Sequence, residues 1–192
     1  MKELQGIGVA LVTPFNADGS IDFPALEKLV NFNIQGGVDY LVVLGTTGES
    51  ATLNSEEKKQ VISCITKSNN KRLPMILGIG GNNTAQVISQ IKEADLEDFI
   101  AILSVSPYYN KPTQEGIFQH YKAVSENSPK PIIIYNVPGR TGSNVASATT
   151  LRMARELKNV TAIKEASPNF LQSTEILKEK PDNFTVTSGD DE

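Results

Sequence analysis

The sequence predicts an α/β fold in which helices cover a parallel sheet, and three observations carry that prediction. Short β-rich runs alternate with amphipathic stretches almost without a break. The alternation recurs at a period of roughly 25–35 residues, the size of one strand–helix unit. Polar, chemically capable residues gather at the same place in each unit, just after the strand. Alternation of this kind implies strands that run parallel under a helical layer.

The strand candidates, in order, are "GIGVALVT", "YLVVLG", "PMILGIG", "FIAILSVS", "PIIIYNV", "VTAIKEA" and "FTVTSG". Six helical patterns lie between them. The first places Leu26, Leu29 and Val30 on one face, with Asp22 as N-cap and Pro24 in the first turn. In the second, Asn54 and Glu57 have the spacing of a capping box. The third begins near Thr84, and the fourth carries Ile117, Tyr121 and Val124 on one face. Two more run from about Ala148 to Leu157 and from about Asn169 to Lys178. Seven strands and six helices in strict repeat fit either an open doubly wound sheet or a (β/α)8 barrel. No linker or shift in composition marks a second domain, so residues 1–192 are expected to form one. A barrel usually takes about 250 residues. The chain is therefore expected to be the N-terminal part of one barrel domain.

Bulk properties narrow the function classes. The net charge of −4 and the pI near 5.2 argue against a nucleic-acid or anionic-membrane partner, both of which need a basic face. A single cysteine, Cys64, leaves no disulfide framework and fits a reducing compartment. Neither a secretory leader nor a membrane-length apolar run is evident, and a cytoplasmic location is expected. One histidine, His120, and one cysteine make no metal cluster, although carboxylates alone could still hold Mg²⁺; the expectation is no metal and no cofactor. His120 borders the apolar face of the fourth helix and is read as structural; Cys64 is read as packing.

The strand ends hold the chemistry: "GTTGES", "SPYYNKP", "YNVPGRTG", Lys164 and "SGDD". In a βα barrel these ends form one catalytic rim. Lys164 stands out, because an ammonium inside an apolar strand is costly unless it is paired or gives up its proton. Alternation puts Ala162, Lys164 and Ala166 on one face of the strand and Ile163 and Glu165 on the other. A neutral amine between alanines would attack a ketone and form an imine; the bland alternative is a lysine paired with Asp190 or Glu165. Glu165 suits neither reading, since its face is apolar and offers no evident partner. Tyr135 on the preceding strand is placed to relay protons. Arg140, in the following loop, has the planar fork that suits a carboxylate. "GTTGES" reads as an anion-holding turn, and lacks the Gly-Lys-Ser/Thr ending of a nucleotide-binding P-loop. "GIGGNN" fails the dinucleotide pattern at Asn83. The adjacent Tyr108 and Tyr109 can point one into the site and one toward a partner.

Together, "GTTGESATL", "SPYYNKPTQEGIFQHY", "YNVPGRTG", "AIKEAS" and "SGDD" resemble the dihydrodipicolinate synthase family. These are pyruvate-dependent lyases and aldolases related to N-acetylneuraminate lyase. The resemblance implies a (β/α)8 barrel and a Schiff base between Lys164 and pyruvate, followed by addition to L-aspartate-4-semialdehyde and cyclisation. It implies a proton relay of Thr46, Tyr135 and Tyr109, with Tyr109 supplied by the adjacent subunit of a homotetramer built as a dimer of dimers. Thr47 would hold the pyruvate carboxylate, Arg140 the carboxylate of the semialdehyde, and Gly189 would make a backbone contact near the imine. A lysine-binding regulatory pocket would use Ser50, Ala51, Asn82, Tyr108 and Gln86. Ser55, Lys58 and Gln86 stand where lysine-sensitive members tend to carry His, His and Glu. The charge of Lys58 and the lost acid predict weak or absent lysine inhibition.

Overall fold

A computed structural model describes residues 2–189; Met1 and residues 190–192, including the Asp190 raised above as a partner for Lys164, lie outside the described residues. The described chain separates into two compact units. One comprises residues 2–78 with 96–100, the other residues 79–95 and 101 onward.

The first unit holds strands β1 (Gly8–Ala10), β2 (Tyr40–Val43) and β3 (Met75–Gly78), paired in that order and parallel. Helices α1 (Phe23–Gln35) and α2 (Ser55–Asn69) connect them and pack on each other. Each helix starts where its cap residue lies. Asp22 Oδ1 accepts from the Ala25 amide at 2.9 Å. Asn54 accepts from the Glu57 amide while the Glu57 carboxyl accepts from the Asn54 amide at 2.8 Å, a complete capping box. Leu26, Val30, Val61 and Ile65 are buried along the inward stripes. Each contributes about 1.5–3 kcal/mol by leaving water. β1 is shorter than the expected eight-residue run.

The second unit holds β4 (Ala101–Val105), β5 (Ile132–Asn136), β6 (Val160–Glu165) and β7 (Thr185–Ser188), again parallel and in order. Its helices are α3 (Thr84–Glu93), α4 (Gln114–Glu126), the short α5 (Pro138–Thr141), α6 (Ser147–Glu156) and α7 (Phe170–Glu179). Ile117, Tyr121 and Val124 of α4 are fully buried, as their spacing predicts. All seven expected strands are present among the described residues, together with one helix, α5, that the sequence reading treats as loop.

One irregularity decides what β5 and β6 present together. Ile132 pairs with Val160, but Ile133 pairs with Ala162, so β6 carries one extra residue, Thr161, at this point. The shift makes Tyr135 the register partner of Lys164, and Asn136 that of Glu165. Lateral partners in a parallel sheet project to the same face. Without the bulge Tyr135 would stand beside Ile163, and Lys164 would lie on the opposite face.

Candidate active site

In the second unit the site begins with that register. The Lys164 Nζ lies 5.0 Å from the centroid of the Tyr135 ring. Tyr135 is 7% exposed and Ala162 is buried, whereas Lys164 is half-buried rather than fully dry as expected. The lysine stem runs past Gly189, where a larger residue would collide with it. Gly189 donates its amide to the Glu165 carbonyl at 2.7 Å. A Cβ at Gly189 would come within 2.7 Å of both Lys164 Cε and Ala166 Cβ. Only glycine lets β7 end so close to the lysine.

Glu165 corrects the sequence reading. It has partners, from its register neighbour on β5, from α7 and from the backbone just after β6. Asn136 Nδ2 donates to both carboxyl oxygens at 2.9 and 3.0 Å, Gln172 Nε2 of α7 donates at 3.0 Å, and the Ser167 amide donates at 2.9 Å. These groups are 29 and 7 residues away for Asn136 and Gln172, so no local pattern announces them. The available signal is polar residues, Asn136 and Gln172, at positions that periodicity assigns to the core.

Arg140 is exposed, and it lies on α5 rather than in the loop where the sequence reading puts it. Val137 precedes this helix, Pro138 opens it with a preset φ, and Gly142 closes it in the left-handed region at φ 67°. The Tyr109 amide donates to the Thr141 carbonyl at 3.3 Å, which ties the tyrosine loop to α5. Tyr109 adopts φ 73° and is 89% exposed. Tyr108 is exposed too, and its carbonyl accepts from Asn82 Nδ2 at 3.1 Å, bringing two of the expected regulatory residues together. Gln86 is exposed in the first turn of α3, where its amide donates to the Asn83 cap at 3.2 Å.

In the first unit, Thr46 and Thr47 open a single 3-10 turn, Thr46–Gly48, and both are exposed. Leu44 at φ 55° and Glu49 at φ 53° bracket the turn. Thr13 Oγ1 donates to the Gly48 carbonyl at 2.7 Å and is itself buried. Sequence reasoning passes over Thr13, although it is the side chain that pins the turn to the end of β1. Ser50 and Ala51 follow directly in the same unit.

The two residues read as structural behave so. His120 is buried, its Nδ1 is 2.8 Å from Thr84 Oγ1, and burial pushes its pKa down to about 4. Burial raises the Cys64 thiol above its ordinary pKa, which disfavours a reactive thiolate. Among the described residues no group of three or more His, Cys, Asp or Glu side chains could hold a metal ion. No helix there is long and apolar enough to cross a membrane.

Comparison with known proteins places these residues in context. The family model described as "Dihydrodipicolinate synthetase family" matches residues 3–192. A 4-hydroxy-tetrahydrodipicolinate synthase of Flavobacterium psychrophilum is 57% identical over 191 residues, which is all of this chain and 65% of that protein. A solved dihydrodipicolinate synthase of Acinetobacter baumannii, chloride-inhibited and complexed with pyruvate, superposes with a TM-score of 0.93 at 45% identity. That match covers 98% of this chain and 64% of the other. A solved monomeric dihydrodipicolinate synthase variant superposes with a TM-score of 0.94 at 42% identity, over 99% of this chain and 64% of its own. The chain thus spans a little under two-thirds of the length of these relatives, and its fold class is that of the (β/α)8 barrel.

Proposed function

Because the chain belongs to the dihydrodipicolinate synthetase family, we propose that its protein condenses pyruvate with L-aspartate-4-semialdehyde to 4-hydroxy-tetrahydrodipicolinate, a step toward diaminopimelate and lysine. The observation that carries the reading is the pairing of Lys164 with Tyr135 on one face, 5.0 Å from nitrogen to ring centroid.

Lys164 Nζ adds to the C2 carbonyl of pyruvate, and loss of water gives the imine. Loss of a C3 proton makes an enamine, whose carbon attacks the aldehyde of the second substrate. The amino group of that substrate then displaces Lys164 and closes the ring, so one water is released per turnover. Tyr135 moves protons at the imine, with Thr46 and Tyr109 continuing the relay. Thr47 holds the pyruvate carboxylate, and the Gly189 backbone borders the imine. Arg140, exposed on α5, receives the carboxylate of the semialdehyde by its two-pronged fork. No metal or cofactor enters these steps.

The exposure of Tyr109 supports its being delivered to the active site of an adjacent subunit, in a homotetramer of paired dimers. The reading implies a cytoplasmic enzyme. Its test is a substrate comparison on the purified protein. Turnover with pyruvate and L-aspartate-4-semialdehyde, and none with N-acetylneuraminate, is the expected result. Cleavage of N-acetylneuraminate in preference would reassign the chain to the sugar-acid aldolases.

A further inference from the structure

Behind the reactive face lies a buried polar cluster that the proposed chemistry does not use. Glu165 is 5% exposed, Asn136 0% and Gln172 6%. Among the described residues, the four hydrogen bonds to the Glu165 carboxyl are all donated to it. A carboxylate, which only accepts, suits such a set of donors. Asn136 extends the cluster: its Nδ2 also donates to Asn144 Oδ1 at 2.9 Å, and its Oδ1 accepts from the Val145 amide at 2.9 Å. Asn144 Nδ2 in turn donates to Gln172 Oε1 at 2.8 Å. The Glu165 carboxyl thereby joins β5, β6 and α7, and through Asn136 and Gln172 the cluster reaches the segment leading into α6.

The placement of this cluster is what matters. Glu165 and Asn136 are register partners one residue beyond Lys164 and Tyr135, on the opposite face of the same two strands. The reactive pair and the polar pair therefore share peptide bonds. Replacing buried charged networks by well-packed apolar residues is often neutral for stability, so stability alone does not account for this cluster. What a saturated network adds is directionality: it tolerates one register and one set of backbone angles. The β6 bulge makes this relevant, because the register shift at Thr161 is what brings Tyr135 beside Lys164.

We propose that Glu165 is a positioning residue for the lyase reaction, locking the ends of β5 and β6 from behind so that Lys164 and Tyr135 stay matched. The inference rests on the lyase reading of Lys164. Glu165→Gln keeps the volume but turns one acceptor into a donor that faces the amides of Asn136 and Gln172. The double variant Asn136→Asp with Glu165→Gln moves the carboxyl across the strand pair and restores donor–acceptor matching once the neighbouring amides turn. Gln172→Met removes only the contact from α7.

The test is exchange of the pyruvate methyl protons for deuterium, followed by proton NMR, which needs the imine and its proton relay but no second substrate. Misplacement by about 1 Å costs up to about 100-fold in rate. Glu165→Gln should therefore lower the exchange rate at saturating pyruvate by about 10–100-fold. The half-saturating concentration of pyruvate should stay nearly constant, and the melting temperature should shift by no more than about 5 °C. The double variant should recover most of the rate, and Gln172→Met should show a smaller fall, which serves as the readout if Glu165→Gln does not fold. Wild-type exchange in Glu165→Gln, or a loss that merely follows the folded fraction with no rescue, would overturn the inference alone. A wild-type protein that exchanges nothing would overturn the lyase reading, and the inference with it.

Discussion

The two faces of the β5–β6 pair are built on opposite principles. The face bearing Tyr135 and Lys164 is defined by what is kept small: Ala162 and Ala166 flank a half-buried lysine on its face of the strand, and Gly189 lies against its stem. The other face, one residue further along, is defined by saturation, with Glu165 accepting from Asn136, Gln172 and the Ser167 amide. The difference teaches that small neighbours around a reactive amine need not mean looseness. The backbone under the lysine face can be held by groups on the other side of the strands.

The sharpest way to break this comparison is to remove the amine. Lys164→Ala should lower condensation activity by about 10⁴-fold or more, the scale seen when a covalent nucleophile is deleted. A coupled assay would show it, and the melting temperature should barely move. Gly189→Ala comes next, because its new methyl group would lie 2.7 Å from Lys164 Cε and Ala166 Cβ. Displacing the lysine should cost about 100-fold in kcat, measurable in steady-state kinetics at saturating pyruvate.

A buried titratable group elsewhere in the same unit sharpens the contrast with Glu165. His120 Nδ1 meets Thr84 Oγ1, and its Nε2 is buried with no hydrogen-bond partner among the described residues. Burial holds its pKa in the folded protein near 4, below the ordinary value of about 6.5. The unfolded chain therefore binds the extra proton first as pH falls. The contribution of His120 is complete above pH 6.5 and is lost progressively down to about pH 4. On this account stability to urea drops by a few kcal/mol over that window, roughly 1.4 kcal/mol for each pH unit of separation. His120→Gln should flatten that limb, as urea melts at pH 7 and pH 4.5 would reveal. The smallest effect concerns regulation: with Ser55, Lys58 and Gln86 in place, free lysine in a titration should inhibit weakly or not at all. Strong inhibition at micromolar lysine would contradict this.

Most of the scaffold was legible from local residues, because caps and periodicity are local. Asp22, Asn54 with Glu57, and the buried stripe of α4 all fall where the spacing puts them. So does Lys164 on its strand. What escaped notice depends on contacts between distant parts of the chain. The extra residue at Thr161 is recognisable only against the register of β5. Glu165 looked unsupported because its partners come from another strand and from α7. Thr13 looked ordinary because the turn it holds lies 35 residues later. In "VPGRT", the proline and glycine suggested a turn, whereas Pro138 opens a helical turn that carries Arg140.

The most direct measurement is borohydride reduction of the protein in the presence of pyruvate, followed by peptide mass spectrometry. A single pyruvate-derived adduct on the peptide containing Lys164, absent without pyruvate, is the result the account predicts. No adduct, or an adduct carried by another lysine while Lys164 stays unmodified, would contradict it.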